Sequence, residues 1–342
     1  YVPERSNIYD RKKFVELQVK DSKIWSRSRI TKLIWEALFY SSKKKGYELF
    51  SSFLNTYASF TREYNSIEEL NNDVPPADLY ITGSDQVWNT QWSGQVDYPY
   101  YLEFVKDKKK KISYASSFGR DYLPDEVKPI IKTLLMEYRA ISVRENSGKH
   151  ILSDLGLNST VVIDPTMLCE KSVWENLAHD IEAKKNYVIL YQIKYDFTLF
   201  KKAKEYAKDT KKRLIVISLE KRKDSIKMFG TKVIMPEVQE FISYIKNADA
   251  IITDSFHACV FSCIFHTAFA VYISSRKEMS SRITELLQLC NLEGQIVEAA
   301  SSLELKAALN SNVNWKLVDE RITNQRKLSQ AWLDKQLNET YN

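Results

Sequence analysis

The sequence predicts an α/β protein of two units, each built on a parallel sheet covered on both faces. Three observations carry that expectation. A length of 342 residues exceeds one typical domain and suits two. Short apolar runs alternate with stretches of helical spacing through both halves of the chain. Several of those runs end in small polar residues, as strands do where they open onto a sheet edge.

Composition narrows the class. With 44% apolar residues the chain can fill two cores and does not read as disordered. The net charge of +6 sits partly in runs such as Lys43 to Lys45 and Lys108 to Lys111, which read as solvated turns and helix ends. The basic balance also suits an anionic substrate, and no nucleic-acid partner is expected. The 20 Tyr and 7 Trp are compatible with stacking on sugar rings. Cys169, Cys259, Cys263 and Cys290 lack disulfide-framework spacing, and no CxxC pair supports zinc. They read as small buried thiols in a reducing cytosol, so a cytoplasmic location is expected. No run of about 20 apolar residues marks a membrane span. Because the chain begins at Tyr1 and not at a methionine, an upstream segment is expected to have been removed or left out.

From Ile24 to Tyr57 the apolar residues recur at helical spacing, as Ile30, Leu33, Ile34, Leu38, Leu49, Phe50, Phe53 and Leu54. They predict two helices broken near Lys44-Lys45-Gly46. Ser66-Ile67-Glu68-Glu69 has the form of a capping box and opens a short helix that Pro75-Pro76 stops. Residues 79–81 form a strand that runs into Thr82-Gly83-Ser84-Asp85-Gln86-Val87-Trp88-Asn89. Gly83 permits a sharp turn or the close approach of a ligand. Ser84, Asp85, Gln86 and Asn89 suit either an Asx-type turn that caps a helix or a binding site.

Residues 111–119 form a second strand that ends in small polar residues, and 124–138 a helix with Pro124 in its first turn. Residues 140–143 are a third strand followed by Arg144, and 161–163 a fourth closed by Asp164-Pro165. Arg144 either pairs with a nearby acid and positions a helix, or meets a ligand. The carboxyl ends of parallel strands gather on one edge, so Ser84, Ser117 and Arg144 should share a crevice.

The pattern loosens around 166–185, which places one unit at 1–170 and a second at 171–315. In the second, strands are expected at 187–191, 214–218, 232–235, 250–252 and 268–273, with helices at 197–208, 236–247, 281–289 and 303–309. Residues 316–342 form a C-terminal helix expected to pack back on the first unit, with Ile322, Leu328 and Trp332 as its buried side. The strand at 250–252 ends in Thr253-Asp254-Ser255, and His257 opens a helix. A histidine and polar side chains at such a corner lie beside free helix N–H groups and a positive dipole end. No Walker A, GxGxxG, HExxH or GxSxG motif occurs, which disfavours phosphate-loop, zinc-protease and esterase readings.

Five stretches together resemble the polysaccharide pyruvyl transferase family. They are Asp78 to Asn89; Tyr114-Ala115-Ser116-Ser117-Phe118-Gly119; Ile141-Ser142-Val143-Arg144-Glu145 with Leu155-Gly156 and Asp164-Pro165; Thr253-Asp254-Ser255-Phe256-His257-Ala258; and Ser280-Ser281-Arg282-Ile283. The resemblance covers about residues 79–292. It implies two Rossmann-like halves facing a cleft, a glycosyltransferase-B-like architecture, with acceptor on the first unit and donor on the second. It also implies transfer of pyruvate from phosphoenolpyruvate to two hydroxyls of a sugar, forming a ketal in a surface polysaccharide or its precursor. The family's histidine maps onto His257 as the catalytic residue, and its strand-end arginine onto Arg144. Arg144, Ser255, Phe256, Arg276 and Arg282 fall on the donor side. Gly83, Ser84, Asp85, Gln86, Asn89, Ser117 and Asp254 line the cleft or the acceptor side. No metal and no cofactor beyond the donor substrate is implied. The acceptor would be a sugar, a nucleotide sugar or a lipid-linked oligosaccharide, the last bringing the protein to a membrane surface.

Two departures stand out. Some members carry an arginine where this chain has Ser255, which cannot clamp an anion; Arg276 or Arg282 would supply that charge. The expected first strand of the N-terminal sheet is not in this chain.

Phosphoenolpyruvate needs bidentate donors, for which arginine is suited. His257 would act as general acid, its acidic form favoured by the donor's negative charge, and amides after Ser255 would cradle the phosphate. Asp85 or Asp254 would serve as base or as a helix cap. Two other readings are a sugar-nucleotide glycosyltransferase, in which Arg144 meets a diphosphate, and a non-catalytic carbohydrate-binding relative.

Overall fold

The computed structural model describes residues 11–20, 22–90, 96–179, 181, 186–193, 196–218, 228, 231–273, 281–298 and 301–341. Its first part is helical: α1 (Arg11–Val19), α2 (Arg29–Trp35), a π-helical turn at Glu36–Tyr40, α3 (Ser41–Tyr57) and α4 (Ile67–Asn72). The predicted break at Gly46 does not occur, and residues 29–57 are helical throughout. One interior glycine costs only about 1 kcal/mol, too little to end a helix by itself. The irregularity falls instead at the π turn, where Trp35 and Phe39 pack on Phe14, Val15 and Val19. Ser66 caps α4 as its sequence signature predicts, accepting from the Glu69 amide at 3.0 Å.

The first sheet is parallel, in the order β1 (Tyr80–Thr82), β2 (Lys111–Ser116), β3 (Ala140–Val143), β4 (Thr160–Val161). Two helices connect its strands, α5 (Lys128–Leu135) and α6 (Asn146–Asp154). The helix expected at 124–138 is shorter because 125–127 forms a turn, and the proline in its first turn is Pro129, not Pro124. Strand β4 ends early for a tertiary reason: the Ile163 amide donates to Ser329 Oγ at 2.9 Å instead of to a strand.

Short helices α7 (Pro165–Leu168) and α8 (Lys171–Leu177) lead to the second sheet. There the chain runs β5 (Tyr187–Tyr191), α9 (Phe197–Asp209), β6 (Arg213–Ile217), β7 (Lys232–Ile234), α10 (Val238–Asn247), β8 (Ala250–Thr253), α11 (Phe256–Phe265), β9 (Phe269–Tyr272), α12 (Ser281–Cys290), β10 (Ile296–Val297) and α13 (Ser302–Leu309). The sheet order is β10-β9-β8-β5-β6-β7, all parallel. This is the doubly wound order, and the chain switches direction between β5 and β8. Strand β5 is buried on both faces: Tyr187, Ile189 and Tyr191 enter one core, and Val188 and Leu190 enter the other. Its continuous apolar run is what a central parallel strand requires.

Helix α14 (Trp315–Tyr341) bridges the two units. Val318 and Ile322 join the core of the second. Further along, Arg139 donates to the Gln336 carbonyl at 2.6 Å, and Trp332 packs against Tyr114. The buried line runs through Ile322, Ser329 and Gln336, spaced by about two helical turns each. Leu328 lies off that line and is 65% exposed, contrary to expectation. Among the described residues no helix is long and apolar enough to cross a membrane, and the cysteines are unpaired.

Candidate active site between the two sheets

The site forms where the carboxyl ends of the two sheets meet. On the first unit, the chain leaves β1 at Gly83, with φ +117°, a conformation that favours glycine. A Cβ there would lie 2.1 Å from the Tyr114 carbonyl oxygen, so β1 and β2 approach closely. The loop folds onto the end of β2, and the Ser117 amide donates to the Asp85 carbonyl at 2.9 Å. Its polar side chains then divide. Asn89 donates to Gln86 Oε1 at 3.0 Å, and this pair presses against Gly119, which holds the turn in shape. Asp85 and Ser84 face the site; the Ser84 hydroxyl lies 3.4 Å from Asp164 Oδ2.

Ser117 does not line the cleft. It is fully buried, and its hydroxyl donates to Glu145.

Arg144 stands at the end of β3 with a side chain only 2% exposed. Nη1 donates to Asp164 at 2.8 Å, Nη2 to Asp85 at 3.0 Å, and Nε approaches Glu145 at 3.5 Å. Both readings of this arginine therefore meet in one residue: it is paired with acids, and it stands in the crevice. Burial alone would raise the Asp164 carboxyl, but Arg144, His257 and the Thr166 and Arg144 donors outweigh it and hold Asp164 below its usual range. Asp85 is lowered in the same way: burial opposes, while Arg144, His257 and Arg282 prevail. Glu145 goes the other way, because burial dominates and pushes it up.

On the second unit the corner after β8 lies at the switch point. The Asp254 carboxylate accepts from the Ile193 amide at 2.6 Å, tying the ends of β8 and β5 together. Ser255 is buried and caps α11, with its Oγ 3.4 Å from the Ala258 amide. Its role is to start the helix. Phe256 is one contact between the two units, with the Arg144 guanidinium 4.7 Å from its ring centroid; that of Arg282, from its own unit, lies at 5.9 Å.

His257 follows, half-buried, with its ring edge on Phe256. Its pKa lies below the ordinary 6.5. Burial is the main cause; Arg144 and Arg282 add to it, and Asp164 and Asp85 only partly offset it. Without a bound anion the neutral imidazole is therefore favoured, chiefly by burial. The acidic form expected from the sequence is the one beside the donor's negative charge.

Arg282 enters from α12. Its Nη1 lies 3.4 Å from Asp85 Oδ1, and its buried Nε has no hydrogen-bond acceptor among the described residues. Burial first, then Arg144, lowers its pKa. One turn on, the Glu285 carboxylate accepts from the Asn146 and Ser147 amides at the start of α6. A cavity of about 380 Å³ lies between these groups, lined by Arg144, Asp164, Phe256, Arg282 and Glu285 among others. Arg276 lies outside the described residues.

The sequence profile of the polysaccharide pyruvyl transferase family matches residues 3–276. The chain belongs to that family. It is thus a member of a transferase family of polysaccharide synthesis. No curated protein matches the sequence. Solved structures similar to it include the UDP-N-acetylglucosamine 2-epimerase of Rickettsia bellii, with TM-score 0.48 and 13% identity over 85% of this chain and 87% of that one. Another is the UDP-GlcNAc 2-epimerase of Methanocaldococcus jannaschii in complex with UDP-GlcNAc and UDP, with TM-score 0.42 and 15% identity over 94% of this chain and 88% of that one.

In this pyruvyl transferase family member, the structure brings together Ser84, Asp85, Arg144, Phe256, His257 and Arg282. Sequence reasoning missed Asp164 and Glu285 as site groups. Asp164 carried a signal, since it closes a strand on the edge that bears Arg144. Glu285 carried only its helical spacing from Arg282.

Proposed function

We propose that this protein transfers pyruvate from phosphoenolpyruvate to two hydroxyls of a sugar in a polysaccharide or its precursor, forming a ketal. The observation that carries the reading is the seat of Asp85. Its carboxylate lies between the guanidiniums of Arg144 and Arg282, at 3.0 and 3.4 Å, both of which stand over Phe256, and it is within the electrostatic reach of His257. A donor carboxylate has the same charge and geometry. Asp85 is 59% exposed on a loop, so it can leave as the donor enters. Arg282 Nε, without an acceptor, offers a further donor, which answers the loss of an arginine at Ser255.

Four carboxylates stand near two guanidiniums here, Asp85, Glu145, Asp164 and Glu285 against Arg144 and Arg282. An anionic donor therefore binds by exchange. It displaces Asp85 and finds helix N–H groups at the start of α11 for its phosphate.

Chemistry then follows in balanced steps. His257, protonated beside the donor's charge, gives its proton to the methylene carbon of phosphoenolpyruvate. A sugar hydroxyl oxygen bonds to the adjacent carbon and loses its proton to the displaced Asp85. The bond from that carbon to the phosphate oxygen breaks, phosphate leaves, and a second hydroxyl oxygen takes its place as its proton passes to phosphate. The donor serves as substrate, and the scheme calls on no other cofactor.

Ligand-induced melting and phosphate release with a panel of sugar acceptors test the reading. Stabilisation by phosphoenolpyruvate, with acceptor-dependent phosphate release, supports it. Stabilisation by nucleotide sugars alone would favour a glycosyltransferase, and by neither a non-catalytic binding protein.

A further inference from the structure

Arg120 is only 6% exposed, yet among the described residues no carboxylate stands within ion-pair distance of it. Its Nη1 reaches Thr90 Oγ1 at 3.5 Å, a long contact, and its Nε has no acceptor. The ring of Tyr122 covers the guanidinium, with its centroid 5.3 Å from Cζ. Arg144, equally buried, has three carboxylates around it. An arginine cannot shed its charge, and a buried charge without a partner is strongly unfavourable. Among the described residues, Arg120 is therefore a buried cation without a carboxylate partner.

Its position says what an anion bound there would do. Arg120 follows Gly119, where a Cβ would lie 2.7 Å from both Asn89 Nδ2 and Gln86 Cδ. The loops after β1 and β2 are thus locked together, and Arg120 stands on the sheet edge that carries Asp85 and Arg144. Arg144 ends β3 and pairs with Asp164 just beyond β4, whereas Arg120 reaches Thr90 in the stretch after β1. Tyr122, its cover, is 55% exposed, so a turn of that ring uncovers the guanidinium and leaves an aromatic face for a sugar.

We propose that Arg120 seats an oxyanion of the acceptor, with Tyr122 as the platform for the adjoining sugar. The oxyanion is the phosphate of a phosphorylated sugar or the carboxylate of an acidic one. The assignment to the acceptor rests on the reading of the protein as a pyruvyl transferase; the anion seat does not.

Calorimetric titration of the whole protein with inorganic pyrophosphate, glucuronate and phosphoenolpyruvate tests it. The probe that binds distinguishes the phosphate from the carboxylate source. Arg120→Gln should weaken that probe about tenfold or more, as expected for loss of a charge-assisted hydrogen bond. Binding of phosphoenolpyruvate should stay within about twofold. Arg120→Lys and Tyr122→Ala, milder changes, should each weaken the probe by a smaller factor and serve if Arg120→Gln fails to fold. A probe that binds Arg120→Gln or Arg120→Lys as tightly as the parent overturns the seat, as does failure of both probes to bind the parent at millimolar concentration. Probe binding that depends on Arg120 without binding of phosphoenolpyruvate would keep the seat and remove the donor reading.

Discussion

The Glu285 carboxylate accepts from both amides of Asn146, the backbone N–H at 2.6 Å and Nδ2 at 3.0 Å. A side chain of α12 in one unit thereby caps α6 in the other. With Asp85 between two guanidiniums, this is a second place where the chain's own carboxylate sits on an anion-binding feature.

Replacing Glu285 with Gln keeps the shape and removes the charge. The cap contributes about 0.5–2 kcal/mol, so a small loss of stability is expected in denaturant unfolding. Affinity for phosphoenolpyruvate should rise, because the start of α6 becomes available to phosphate. Weaker binding in a folded Glu285→Gln protein would show that the carboxylate supports the donor and does not compete with it.

Asp85→Asn separates affinity from turnover. Loss of the negative charge between Arg144 and Arg282 should tighten phosphoenolpyruvate binding about fivefold or more, as one exchanged ion pair in a partly buried site allows. Phosphate release should fall, since the acceptor hydroxyl loses its proton acceptor. Unchanged affinity by titration would contradict the exchange of Asp85 for donor.

His257 gives a pH signature. Its folded pKa lies below 6.5, with burial the main cause. As pH falls, the unfolded chain binds the proton first. The stability associated with a neutral His257 is therefore fully present above about pH 6.5 and is lost as pH falls from there through the folded value. A bound dianion reverses the balance, so binding of phosphoenolpyruvate near neutral pH should take up a proton, visible as buffer-dependent enthalpy. His257→Ala should abolish that uptake and slow phosphate release about 10²–10⁴-fold. Equal uptake in a folded variant would remove His257 from the acid's role.

Arg144→Ala leaves Asp164 buried without its cation, and a loss of about 3–5 kcal/mol is expected. Arg282→Gln is the cleaner probe of the clamp. Its longer contact to Asp85 makes the stability change smaller, while phosphoenolpyruvate affinity should fall about tenfold. Equilibrium unfolding and donor titration of both variants check this, and an unchanged donor affinity in Arg282→Gln would refute the clamp.

Strands β1 to β9, most of the helices between them and the corner at Thr253 to His257 were legible because they rest on local periodicity and capping; the two-residue β10 and the short helices α7 and α8 were not. Strand β5 alternates its side chains into two cores, and Ser66 and Ser255 cap the helices they precede. The break placed at Gly46 was misread because a single glycine is a weak stop, and Leu328 was misplaced because the burial of α14 is set by what it crosses.

What the sequence by itself determined is that polar residues gather at the carboxyl ends of parallel strands, since strand polarity and connection are written in short-range pattern. Which of them face the cleft only the tertiary structure decided. Ser117 and Arg144 both end strands of one sheet, yet Ser117 turns inward to Glu145 while Arg144 meets Asp85, Asp164 and Phe256. Glu285 and Asn146 are 139 residues apart in the chain, and their contact exists only because two units approach. Ion pairs and caps of that kind depend on distance in space and on burial. Neither quantity is carried by local spacing.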